Sequence, residues 1–132
     1  MHRSTMDMTL FFRLPADSPG DEQRLARLAE TCYAAADFTS QATEWTTWLA
    51  RWDRRIQSDG RPASARRQTM NAVNPCYIPR NYLAQQAIDA AQAGDASPLL
   101  ELLDTLRTPY REQAGREAYA AKRPEWARHK PG

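Results

Sequence analysis

Glycine, lysine and histidine are all scarce in this 132-residue chain, and each shortage removes a class of chemistry. The five glycines, Gly20, Gly60, Gly94, Gly115 and Gly132, are scattered, so no glycine-rich loop can wrap a phosphate chain. Only Lys122 and Lys130 could offer an ammonium to phosphate, and His2 and His129 stand at opposite ends of the sequence. The two cysteines, Cys32 and Cys76, lie far apart without a C-x-x-C spacing, so they read as two thiols rather than a disulfide or a zinc site. No histidine stands where it could activate a Ser, Thr or Tyr as a nucleophile. No apolar run approaches the roughly 20 residues that span a bilayer, and the N-terminus lacks the long apolar region and cleavage site of a signal peptide. The expectation is a cytoplasmic protein, with no membrane role, no catalytic residue, no cofactor-binding residue and no metal ligand of its own.

What the chain does have is arginine and alanine. Sixteen of its eighteen basic residues are Arg, a bias that suits a GC-rich bacterial genome. The net charge of +2 is unevenly spread: residues 1–60 and 81–115 are acidic on balance, while 61–80 and 116–132 are basic. Nucleic-acid binding would call for a denser basic face with aromatics placed to stack on bases, so it is not expected.

Between Pro15–Pro19, Gly60–Pro62, Asn74–Pro75, Gly94–Pro98 and Pro109 the sequence has helical period. Residues 19–35 set Leu25, Leu28, Ala29, Cys32 and Tyr33 on one face, with Asp17 or Ser18 as cap and Asp21 and Glu22 at the positive end. Residues 40–57 carry the heaviest stripe, Trp45, Trp48, Leu49, Trp52 and Ile56. Spacing of three and four with Leu49 and Ile56 makes this a core face; were it exposed, Trp45, Trp48 and Trp52 would mark an interaction surface. A helix over 79–93 starts with Pro79 at N1, packs Ala84, Ala87, Ile88 and Ala91, and ends at Gly94. Another follows, capped by Asp95 or Ser97, with Pro98 at N1 and Leu99, Leu102, Leu103 and Leu106 in a stripe that Thr108 and Pro109 end. The short link makes the pair an αα-hairpin. The fold expected is all-α, a small bundle of about five to six helices: a helical domain over 1–110, then a short helix and extended basic arm over 111–132.

Asn74, Arg80, Asn81, Tyr82 and Gln85 draw attention as polar residues around a fixed turn and helix start. Arg80 is a cation at the positive end of a helix, which asks for a specific acidic or carbonyl partner. Two roles fit the group, a structural latch or a partner contact, and the latch is favoured because polar groups at such places usually satisfy backbone. Arg66 and Arg67 form a basic run that could attract a nucleotide non-specifically.

The run MNAVNPCYIPRNYLAQQAIDAAQAGD, followed by LLELLDTLRTPYREQ and YAAKRPEWA, resembles the C-terminal end of the SelO family, and DMTLFFRL at 7–14 resembles that family's preceding segment. The resemblance is strongest from Met70 to Pro109. It implies kinship with proteins of kinase-like fold that transfer AMP from ATP to protein hydroxyl groups with a divalent metal. ATP and Mg2+ are thus implied for the full-length family only, since its catalytic parts should precede the segment matched here. Cys76 stands where the family usually has Lys, Pro79 where it usually has an aliphatic residue, and the family's C-terminal cysteine or selenocysteine is expected to be absent. Two functions follow from the resemblance: a helical structural or interaction module without the kinase-like core, or one part of a split adenylyltransferase. The partner would be a kinase-like catalytic chain or a second copy of this one.

Overall fold

In a computed structural model, residues 5–14 and 23–128 are described, and they fall within two compact units, 1–74 and 75–132. Among the described residues there are eight α-helices and no sheet; the only strand-like pairing is one antiparallel bridge.

The first unit begins with that bridge. Met6 pairs with Cys32, the Asp7 amide donates to the Thr31 carbonyl at 2.8 Å, and the Tyr33 amide donates to the Thr5 carbonyl at 2.8 Å. Asp7 then caps α1 (Met8–Arg13): its Oδ1 accepts from the Leu10 amide at 3.2 Å, while the Tyr33 hydroxyl donates to its Oδ2 at 2.8 Å. One buried carboxylate therefore starts a helix and holds the segment that follows α2.

That segment explains why the long helix expected over 19–35 is shorter. α2 runs Arg24–Thr31 and stops because Cys32 turns extended, φ −80°, ψ 139°, to make the bridge. The caps expected of Asp17, Ser18, Asp21 and Glu22 lie outside the described residues. α3 (Ala35–Ser40) and α4 (Ala42–Asp59) share Gln41 as the C-cap of one and the N-cap of the other, so the chain turns within a single residue. Gly60 ends α4 at φ +66°, a conformation that any side chain would strain. α5 (Ala63–Val73) follows.

Met6, Phe11, Leu28, Cys32, Phe38, Trp45 and Leu49 form the core of this unit, with Leu14, Leu25, Ala29 and Trp48 packed against it. Phe38 stacks on Trp45 at 5.7 Å between centroids, and Phe11 lies 5.7 Å from Trp48. The stripe expected on α4 is thus graded: Trp45, Leu49 and Ile56 are buried, whereas Trp48 and Trp52 are half-buried. α2 is tied to α4 by buried Arg24, whose two Nη atoms donate to the two carboxylate oxygens of Asp53 at 2.8 and 2.7 Å.

The second unit is built on an αα-hairpin, α6 (Asn81–Gln92) and α7 (Ser97–Arg107). α6 starts two residues after the expected position. Arg80 is extended, its amide donates to the Ile78 carbonyl, and its own carbonyl accepts from the Leu83 and Ala84 amides, so Arg80 is the N-cap and Pro79 lies before it. The stop is as expected. Gly94 sits at φ +95°, its amide donates to Ala91 and the Asp95 amide to Ala90, which is the paired closure of a Schellman turn. Asp95 Oδ1 accepts from the Ser97 amide at 2.9 Å, and that bond holds the carboxylate pKa below its usual value. Then come α8 (Glu117–Ala120) and a 3-10 turn, Glu125–Ala127; the arm beyond Arg128 lies outside the described residues.

The hairpin core is smaller than its pattern suggests. Ala87, Leu102 and Thr105 are buried and Ala84, Ala91 and Leu106 half-buried, but Ile88, Leu99 and Leu103 face water. A stripe only one residue wide is covered, because a single facing helix cannot bury both flanks of a leucine ridge.

Candidate functional site

Of the polar residues singled out around the helix start, Asn74 belongs to the first unit and the other four to the second. Asn74 closes the first unit as the C-cap of α5: its Nδ2 and its amide both donate to the Met70 carbonyl at 2.9 Å, and its own carbonyl accepts from Arg13 Nη1 at 2.8 Å. In the second unit Asn81 is exposed at the first position of α6. Gln85 is also exposed and donates along the helix to Asp89 Oδ1 at 2.7 Å. Tyr82 is buried, and its ring meets Trp126 edge to face at 5.7 Å between centroids. Arg80 is half-buried.

A tighter polar node lies four residues earlier, and sequence reasoning passed over it. The Cys76 and Tyr77 amides both donate to the Pro109 carbonyl, at 2.7 and 3.2 Å. The buried Tyr77 hydroxyl accepts from the Gln113 amide at 2.9 Å and donates to the Gln113 carbonyl at 3.4 Å. Gln113 Nε2 in turn donates to the carbonyls of Thr105 and Thr108 at 2.9 and 3.2 Å, occupying acceptors that the end of α7 leaves open. Burial pushes the Tyr77 hydroxyl above the usual tyrosine pKa, against the opposing pull of the Gln113 backbone bond. The node fastens the extended segment to the end of α7; a phenol held protonated between backbone groups is a strut, not a nucleophile. A sequence signal existed: Tyr77 sits between Pro75 and Pro79, where neither helix nor sheet can satisfy the backbone.

Around this node a shallow open cleft is lined by Cys76, Tyr77, Glu112, Gln113 and Glu117. A second, beside the hairpin, is lined by Leu83, Ala87, Glu101, Leu102 and Tyr119. At its edge Arg116 pairs with Glu101 and lies over the Tyr119 ring, 5.9 Å from its centroid. Among the described residues no group of three or more His, Cys, Asp or Glu side chains could hold a metal ion. Gly60, Gly94 and Gly115 each serve a separate turn at positive φ, so none contributes to a phosphate cradle. Of the basic run, Arg67 is exposed and Arg66 is buried. His2, His129 and Lys130 lie outside the described residues. Neither cysteine is in a disulfide; Cys32 is buried and Cys76 half-buried. No helix among the described residues is long and apolar enough to cross a membrane.

Comparison with known proteins gives one consistent answer. The family model for protein adenylyltransferase SelO matches residues 1–107. Proteins called protein nucleotidyltransferase YdiU align over the whole chain at 48% identity in Tolumonas auensis and in Xanthomonas axonopodis pv. citri, where the chain covers 25% and 26% of the relative. The Rhodopirellula baltica protein of that name is 48% identical over 96% of this chain and 26% of its own length. The chain therefore spans about a quarter of the length of the curated relatives it matches.

Proposed function

The chain belongs to the SelO family of protein adenylyltransferases, and on that premise we propose that it is a helical interaction module that docks on a kinase-like catalytic region. The observation that carries this is the leucine stripe of α7. Leu99, Leu100 and Leu103 are 42%, 63% and 50% exposed and adjoin one another on one side of the helix. Three leucines side by side in water are the mark of a contact surface rather than of scattered surface residues. The described residues contribute neither a glycine cradle nor a set of metal ligands, so the role that fits the chain is to bind and shape a catalytic partner.

The test is to mix the chain with the remaining three quarters of the Tolumonas auensis relative and measure the complex by sedimentation. A one-to-one complex is expected, and Leu99→Asp with Leu103→Asp should abolish it. No complex with the unsubstituted chain would end the reading.

A second reading, favoured by 48% identity along the entire chain, is that the two parts together make up a split adenylyltransferase. It predicts that the complex, and neither part alone, transfers labelled AMP from ATP to protein.

A further inference from the structure

We propose that Arg66 is the receptor for an oxyanion that offers two oxygens side by side, a carboxylate or a phosphate. Arg66 is the one residue of α5 that is buried, at 8% exposure, and it is the costliest kind of side chain to bury. Its Nε and Nη2 are shielded from water, and neither has a hydrogen-bond partner. A guanidinium cannot relieve this by losing a proton.

The same unit shows what a buried guanidinium needs. Arg24, 4% exposed, has both Nη atoms on the two oxygens of Asp53. Among the described residues Arg66 has no such counterpart, and its own stretch cannot provide one, since residues 61–80 contain no Asp or Glu. The nearest acid before it in sequence, Asp59, pairs with Arg61 at 3.3 Å.

The identity of the bare atoms selects the ligand. Nε and Nη2 lie along one edge of the planar guanidinium, and their two N–H bonds run nearly parallel. That edge matches a pair of oxygens on one carbon or phosphorus, the bidentate geometry that arginine makes best. A chloride ion or a backbone carbonyl offers a single acceptor atom, which two nearly parallel N–H bonds cannot both meet in line.

The full 132-residue chain tests this by thermal melting in sodium chloride, sodium acetate and sodium phosphate at equal ionic strength and pH. Arg66→Lys keeps the charge without the edge, and Arg66→Met removes both; should Arg66→Met not fold, Arg66→Lys carries the comparison alone. Phosphate stabilises proteins in general, so the quantity read is the difference between parent and variant. At tenfold excess over its dissociation constant, the bound oxyanion should raise the parent's Tm by about 4 °C more than the variant's. A gain in phosphate alone identifies a phosphate-bearing ligand, and an equal gain in acetate identifies a carboxylate. Equal responses of parent and variants in all three salts would overturn the proposal.

Discussion

Tryptophan and tyrosine show how differently two aromatic residue types are used in this chain. Trp45 stacks on Phe38 inside the first core, and Trp45→Ala should cost roughly 3–5 kcal/mol, the range for deleting a large buried aromatic. Trp48 carries the same spacing but keeps part of its surface in water, so Trp48→Ala should cost about 2–3 kcal/mol. Urea denaturation of the two variants should separate them in that order; a larger loss at Trp48 would mean that the burial gradient on α4 is reversed. Tyr77 contributes through its hydroxyl. A pKa raised in the folded state means that the native chain holds the proton more firmly than the unfolded one. Its share of stability is complete below the unfolded value near pH 10 and is lost as pH rises from there through the folded value. Urea midpoints measured from pH 8 to 11 should therefore fall more steeply for the parent than for Tyr77→Phe. Parallel curves would mean that burial does not raise the Tyr77 pKa above that of the unfolded chain.

At the scale of the element, the caps decide how much could be read in advance. The link between α6 and α7 was legible because it is chemical: Gly94 must take the left-handed conformation, and Asp95 accepts from the Ser97 amide just ahead of α7. The N-cap, however, is Ala96 rather than Asp95 or Ser97, and Pro98 stands one position past N1. Adding a Cβ at Gly94 meets nothing within 4 Å, so Gly94→Ala should cost only the backbone strain, about 1 kcal/mol. A loss of that size in the thermal melt is expected, while an unchanged Tm would show that φ relaxes. α1 and α3 were not legible, since six residues give too few turns for a period to show and their positions depend on partners distant in sequence. The same applies to α2, where an apolar pattern runs through Tyr33 but the bridge to Met6 takes over at Cys32. Of the polar residues flagged beforehand, Asn74 and Tyr82 have partners on other elements, whereas Gln85 bonds within its own helix. The Tyr77–Gln113 node escaped notice because its members are 36 residues apart: Pro75 and Pro79 mark Tyr77, but nothing around Gln113 marks it as the partner.

For the whole molecule, the all-α class was legible from periodicity and the family from long ordered stretches around Asn74–Pro75. The boundary between the two compact units falls at that same dipeptide. The chain alone is expected to show a helical circular dichroism spectrum and no magnesium-dependent ATP binding at sub-millimolar strength by calorimetry at near-physiological salt. The described residues set no group of cations and backbone donors around a phosphate site, which leaves screened attraction to surface arginines. Tight binding lost on Arg80→Ala would show that the helix start is a nucleotide site.

The distribution of sulfur gives this small protein an internal clock. Each unit contains one thiol, and Cys32 is shut behind the pairing with Met6, its Sγ 3.2 Å from the Ala34 carbonyl oxygen. An alkylating reagent can reach Cys32 only in the moments when that pairing opens, so its labelling rate under native conditions reports how often the first unit loosens. Cys76, half-buried beside the Pro109 carbonyl, is partly open to the reagent and gives the rate of an accessible thiol in the same sample. Mass spectrometry of a single time course would thus time the opening of the first unit against that internal reference, without a mutation or a dye.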